Sequence, residues 1–404
     1  MKLNFWKYNT FVIFLIILII WSFLFSWIKY FIWQNLSNWI KPDLQQIAWY
    51  LSLGSIFAYL LGWAFSYAFL KRYLLFFLAI WVLLILLITY FLPINSFFYL
   101  AFVIALIGFF YGIWVVLRWV IASIEIQKTW MKDTKLNAIV NILFIIFIIL
   151  WTILGSKFYE LYQSNWVFIL LWLLVVLSIL SLFLDYDKVS ISSWVKSMIS
   201  KKYLIEKHAK LKESFKIFIP EFKYIWQNFS YIILTSAFLW AIITVVSQKA
   251  IELSVNKFHM EASSAGMVLL FSSIGAILWN ILSSFLKNRW RSFFILNSFV
   301  ILFILWFLIF SNSFFEIWVL AFLLGIVFWA SSNLIDGYYL KIIWEKDKRE
   351  YGSSANGLFA AIVLAFVMFS SSFIDRHFWF NILIITLVFM LVCVNIWFYY
   401  KIER

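Results

Sequence analysis

The stretch from Asp185 to Asn228, DYDKVSISSWVKSMISKKYLIEKHAKLKESFKIFIPEFKYIWQN, is the longest polar segment of the chain. It carries nine lysines against Asp185, Asp187, Glu206, Glu213 and Glu221. On both sides of it the sequence is apolar almost without relief, and that contrast decides the fold. Outward from it, apolar runs between charged breaks occupy 8–30, 45–70, 73–92, 96–122, 135–156 and 164–184 before it, and 229–252, 262–286, 292–311, 314–340, 353–374 and 378–400 after it. Each is near the ~20 residues that cross a hydrocarbon core of about 30 Å. The runs lack the alternation of barrel strands, and open sheet edges do not survive in lipid. The expected fold is therefore an all-α integral membrane bundle of twelve spans. Six lie in a half covering 1–184 and six in a half covering 229–404, joined by a basic cytoplasmic segment, 185–228. That segment reads either as a solvated linker or, around Lys201–Lys207, as a short amphipathic helix on the inner leaflet.

Composition agrees. Of 404 residues, 66% are hydrophobic and 12% charged, whereas soluble chains run near 45–50% apolar and about 25% charged. The formal net charge is +14, which in a soluble chain would suggest nucleic acid. Here twenty-six of the 32 Lys and Arg fall at the termini or after spans 2, 4, 6, 8 and 10, leaving only Lys29, Lys41, Lys157, Lys249, Lys257 and Arg376 opposite. The positive-inside rule then puts both termini in the cytoplasm, and no nucleic-acid partner is needed. The run from Thr10 to Ile28 exceeds a signal-peptide core and has no A-x-A cleavage site, so it reads as a retained first span. The single cysteine, Cys393, excludes a disulfide framework or a cysteine metal site within one chain. The expected location is the cytoplasmic membrane of a bacterium.

Two six-span halves invite a search for a repeat. Leu60–Tyr73 (LLGWAFSYAFLKRY) aligns at an offset of 217 with Ile277–Trp290 (ILWNILSSFLKNRW), and the same offset sets Gly112 opposite Trp329. An offset of 219 pairs Asn137-Ala138 with Asn356-Gly357.

With the 6+6 division, the basic central segment and basic loops after spans 2 and 8, the sequence resembles the major facilitator superfamily. That family's loop motif, G-x-x-x-D-R-x-G-R-R, is matched in part: beyond Gly62 by Lys71-Arg72, and in the second half by Lys287, Arg289 and Arg291. The motif aspartate is absent from both copies. Ser353–Leu358 resembles the A-N-G start of span 11. Within the superfamily, Leu117-Arg118-Trp119-Val120-Ile121, then Glu125 and Lys135-Leu136-Asn137, are similar in order to motifs of lysophospholipid transporters. Trp151–Gly155 resembles that branch's span-5 G-x-x-x-G, and Phe238-Leu239-Trp240 an aromatic pair in its span 7. The resemblance implies a secondary transporter with helix-packing positions at Gly112, Gly155, Asn356 and Gly357.

Tryptophan (25) outnumbers glycine (11), yet their sum is ordinary. Trp33, Trp39, Trp49 and Trp397 suit an interfacial belt. Trp21, Trp81, Trp114, Trp151, Trp172, Trp279, Trp306 and Trp329 fall near span centres, where no belt exists. Trp151, Trp279, Trp290 and Trp329 stand where the repeat or the family pattern asks for glycine. UGA encodes glycine in some bacterial codes and tryptophan in others, and the Phe, Ile, Lys, Asn and Tyr enrichment suggests an AT-rich genome. The expectation is that many of these tryptophans are glycines in the living protein; genuine tryptophan enrichment is the alternative.

Ionisable groups within spans default to function. Arg118 in span 4 and Asp336 in span 10 occupy near-equivalent places in the two halves with opposite charge. They are expected either to face one another or a substrate, or to lie at the cytoplasmic ends and reach water. Asn333 and Glu125 share the faces of Asp336 and Arg118, and Gln248 suits an outer vestibule. A proton-coupling carboxylate needs burial, and Asp336 is the best placed. His208, His259 and His377 are scattered without metal-ligand spacing, so no metal or cofactor is expected. No glycine precedes a lysine, which excludes a P-loop, and no convergent acid–base group suggests an enzyme. The expected function is movement of a small or amphipathic solute by alternating access, coupled to a proton or sodium ion. A lysophospholipid flippase, a non-transporting scaffold and a lipid-modifying enzyme are the alternatives. Partners are the bilayer and a small-molecule or lipid-like substrate.

Overall fold

The computed structural model describes residues 12–21, 24, 44–68, 71–91, 97–129, 142–143, 146, 166–184, 200–256, 270–278, 289–310, 313–345, 349–373 and 377–402. Apart from Phe183, Leu184, Ser200 and Ser313, all of these residues are helical. Inside a bilayer a helix satisfies every backbone donor and acceptor locally, which is what sequences this apolar require. In chain order the elements are α1 (Val12–Trp21), α2 (Leu44–Ala68), α3 (Lys71–Phe91), α4 (Phe97–Thr129), α5 (Trp166–Leu182), α6 (Lys201–Asn256), α7 (270–278), α8 (Arg289–Phe310), α9 (Phe314–Glu345), α10 (Arg349–Phe373) and α11 (His377–Ile402). Helical residues occur in each of the twelve apolar runs. Five stretches among the described residues are long and apolar enough to cross a membrane: Ala101–Arg118, Ile205–Val246, Trp290–Phe307, Phe315–Tyr339 and Asn381–Ile402.

Local chemistry sets some boundaries. The first turn of α9 is a capping box: the Glu316 amide donates to Ser313 Oγ (3.3 Å) and the Ser313 amide to Glu316 Oε2 (3.2 Å). α6 runs 56 residues with Pro220 inside it, about 84 Å at 1.5 Å per residue. Most of the polar segment that divides the sequence is thus helical and continuous with the seventh apolar run. Pro220 removes one backbone donor there without ending the helix.

α2 packs along α4, α3 along α5, and α8 against α9 and α11; α10 lies against α2, α4 and α6. Glycines permit the closest approaches. A Cβ at Gly54 would fall on the Ala105 carbonyl and one at Gly108 on the Leu51 carbonyl. The same pattern recurs in the second half, where a Cβ at Gly275 would fall on the Phe322 carbonyl and one at Gly325 on the Ser272 carbonyl. The α4 and α9 partners differ by 217 residues, matching the sequence repeat, but the α2 and α7 partners differ by 221. Among the described residues, the repeat of α2 in α7 thus runs four positions out of step with that of α4 in α9. A slip of four residues is nearly one helical turn and presents the same face, so the pattern match tolerates it.

The mid-span tryptophans divide. Trp21 and Trp114 are buried and stack at 5.4 Å. Trp81, Trp172 and Trp306 are 55%, 66% and 47% exposed on the outer, lipid-suited face. Trp290 sits edge-on to Tyr338 (4.3 Å) and Phe398 (5.4 Å), where an indole is well packed. Trp329 meets Trp240 of α6 edge-on at 5.4 Å. Trp151 and Trp279 lie outside the described residues.

Candidate functional site

α9 buries a polar run, Ser331, Ser332, Asn333 and Asp336, inside an otherwise apolar helix. Ser332 stands one turn before Asp336 and donates its hydroxyl to Asp336 Oδ2 at 3.2 Å. With Asp336 only 5% exposed, an ionised carboxylate there needs more than one hydroxyl to offset its lost hydration. The opposite charge comes from the other half of the sequence. Arg118, half-buried on α4, is a weaker electrostatic neighbour of the Asp336 carboxylate and the Tyr59 hydroxyl of α2, behind burial at both, Ser332 at the first and Tyr111 at the second.

Tyr59 lies where α2 meets α10. Its ring lies on Gly357 of α10 so closely that a Cβ there would stand 2.7 Å from Tyr59 Cζ. Tyr59, Val116 and Val120 from the first half and Leu358 and Ala361 from the second form one buried apolar cluster, with Phe222 of α6 packed against it. Tyr339 ties α9 to the start of α10 by donating its hydroxyl to the Gly352 carbonyl at 2.8 Å. Ser354, one turn before Leu358, has a buried hydroxyl with no hydrogen-bond partner among the described residues. A second polar group braces the second half: Asn297 Nδ2 of α8 donates to Asn395 Oδ1 of α11 (2.7 Å), and the Ser331 hydroxyl donates to Asn297 Oδ1 (3.4 Å).

The remaining sequence candidates are placed as follows. Asn333 is buried one turn from Asp336. Glu125 and Gln248 lie on α4 and α6, but their side chains are outside the described residues, as are those of Lys71, Arg72 and Arg289. Lys287 and Gly155 are outside the described residues altogether. Arg291 is exposed near the start of α8. Gly62 lies within α2, where a Cβ would meet Val116 Cγ2 at 3.3 Å, and Gly112 faces Ala58 and Ser55. Asn356 is half-buried beside Gly357. Sequence reading passed over Tyr59, Ser332, Ser354 and the Asn297–Asn395 pair. The asparagines carried a usable signal, a strongly polar group in the middle of an apolar run; Tyr59 carried none.

A cavity of about 20 Å³ lies between α6, α7, α8 and α9, lined by Ile243, Val246, Ser272, Phe307 and Leu320 among others. A cleft of about 270 Å³ opens between α6 and α10. Neither is lined by Arg118 or Asp336. Among the described residues no group of three or more His, Cys, Asp or Glu is placed to hold a metal.

No protein-family model and no curated protein sequence matches the chain. Among solved structures it is similar to that of a major facilitator superfamily transporter, FucP, in the outward conformation, with a TM-score of 0.67 and 9% identity. The likeness covers 97% of this chain and 98% of that one. The chain therefore has the major facilitator fold.

Proposed function

We propose that the chain is a secondary active transporter of the major facilitator superfamily, moving a small or amphipathic solute by alternating access between two six-helix halves. The observation that supports this reading is the buried polar run of α9 with Asp336, to which Arg118 of α4 is a weaker electrostatic neighbour, within a chain of the major facilitator fold. Such charges are costly inside a membrane and are retained where they bind or couple. A site between two halves that rock against each other reaches one side of the membrane at a time. By the charge bias of the loops, the Tyr59–Gly357 seam is cytoplasmic, and the state described is closed on that side.

Asp336 is the coupling carboxylate for a proton or sodium ion, Arg118 its counter-charge and anchor for an anionic or zwitterionic group, and Asn333 a neighbouring polar contact. Glu125 and Gln248 extend the pathway toward the two sides. The scarcity of Asn, Gln and acidic residues in the spans favours an amphipathic substrate over a sugar, and a lysophospholipid is the sharpest form of that reading. The test is uptake into proteoliposomes under an imposed proton or sodium gradient, with labelled lysophosphatidylethanolamine and a labelled hexose as probes. Asp336→Asn and Arg118→Ala are each expected to lower uptake about tenfold or more, because ionisable groups within membrane spans are costly and are retained where they bind or couple. Unchanged uptake counts against both residues, and no uptake of either probe by the unaltered chain favours the scaffold.

A further inference from the structure

The amino-terminal part of α6 is built asymmetrically. Leu211, Ser214, Phe218, Glu221, Phe222 and Ile225 turn inward, whereas Lys212, Phe215, Lys216, Ile219, Lys223 and Trp226 recur at spacings of three and four along one exposed flank. Ile219 is 74% exposed. Glu206 and Glu213 lie off that flank, Glu213 about 60° round from Lys216 at about 100° per residue, and Glu206 pairs with Lys210 at 3.2 Å. The flank is thus a stripe of lysines and large apolar side chains without an acid.

Beside this stripe opens the cleft of about 270 Å³, lined by Phe218, Ile219, Phe222, Lys223, Trp226 and Phe359. Phe359 of α10 is clamped between Phe222 (5.7 Å) and Trp226 (4.5 Å), both rings stacked on it. The walls are apolar and aromatic, and among the described residues the single charged group lining the cleft is Lys223. Lys216 follows two turns away, about 10 Å along the helix axis.

We infer that this cleft binds one acidic phospholipid, its acyl chain against Ile219, Phe222, Trp226 and Phe359 and its phosphate on Lys223 with Lys216 and Lys212 behind. The occupant follows from charge complementarity: the apolar walls suit a hydrocarbon chain, and an acid-free row of lysines suits an anionic headgroup. A zwitterionic lipid would satisfy the walls and leave the row uncompensated. Phe222 also packs against the seam cluster of Tyr59, Val116, Val120, Leu358 and Ala361, so the bound lipid supports the closed seam. The cytoplasmic placement of the cleft rests on the transporter reading; lipid binding does not.

The experiment is native mass spectrometry of the purified full chain in detergent, titrated with phosphatidylglycerol or with phosphatidylcholine. The unaltered chain is expected to retain phosphatidylglycerol in preference. Lys223→Gln and Lys216→Gln should each lower that retention about fivefold, the usual share of one lysine beside an anionic surface. Lys210→Gln, on another flank, should leave it unchanged. Equal retention of the two lipids, or Lys223→Gln and Lys216→Gln variants that hold phosphatidylglycerol like the unaltered chain, overturns the inference. Displacement of bound phosphatidylglycerol by inorganic phosphate at millimolar concentration also overturns it, since the acyl chain would then contribute nothing. Because the assay needs no transport, the site stands or falls apart from the proposed function.

Discussion

Gly54 and Gly108 let α2 and α4 touch backbone to backbone, and α2 continues the small-residue row through Ala58 and Gly62 as α4 does through Gly112. Gly54→Val is therefore expected to overpack the crossing, lowering the thermal unfolding midpoint of the purified protein by the equivalent of about 1–3 kcal/mol. An unchanged midpoint would mean that the helices do not meet there. In the second half the described small-residue crossing sets Gly275 against Gly325, and Trp329 follows Gly325 at the place that Gly112 takes after Gly108. An indole thus stands at 329 where the first half has Gly112 against Ala58. Glycine at 329 would complete the α9 small-residue row, so we expect a UGA codon there, read as glycine by the source organism. Sequencing the gene and measuring the intact mass of the natural protein check this; UGG at Trp151, Trp279, Trp290 and Trp329 alike would end the idea. Trp290, seated against Tyr338 and Phe398, and the outward-facing Trp81, Trp172 and Trp306 need no such explanation. Composition raised the question, but only helix crossings separate the positions that demand a small residue from those that accept an indole.

At the scale of elements, the apolar runs gave away the helices because a bilayer allows few other solutions, and their ends followed charged breaks. What charge counting could not reveal was continuity. The 185–228 segment looks like a linker because it is polar, yet from Lys201 onward it is one helix with the following run. A helix emerging from a membrane keeps its hydrogen bonds whether its side chains are charged or apolar, so polarity marks the membrane boundary and not the helix end. Side-chain bonds between elements were equally hidden. The Asn297–Asn395 pair joins α8 to α11 across 98 positions of sequence, a separation no local pattern encodes. Asn297→Ala should lower the unfolding midpoint in detergent by the equivalent of about 0.6–1.7 kcal/mol, the range for polar contacts between membrane helices. Replacing both asparagines with leucine should recover part of that loss, because neither leaves an orphaned amide. A double variant less stable than the single would argue against the pair.

For the whole molecule, the decisive relation is between halves. Opposite charges at near-equivalent places suggested from sequence that Arg118 and Asp336 belong together; in the structure Asp336 is buried and bonded to Ser332, and Arg118 is a weaker electrostatic neighbour. Sequence could not supply the seam around them, since Tyr59 resting on Gly357 depends on how α2 meets α10. If alternating access opens this seam, Gly357→Val should wedge Tyr59 away and bias the protein toward the state open at that end. Accessibility of a cysteine at Ser354, in a chain whose Cys393 has been replaced by serine, should then rise; unchanged labelling would mean that the seam is not a gate. The central proposal, that Arg118 and Asp336 act together in transport, is tested most directly by a double-mutant cycle on gradient-driven uptake. Asp336→Asn, Arg118→Ala and the double variant would be compared with the unaltered chain, using whichever of lysophosphatidylethanolamine or hexose it carries. The account predicts that each single variant loses about tenfold or more and that the double is no worse than the poorer single, as for residues acting as a unit. Losses that simply multiply, or single variants that transport normally, would contradict it.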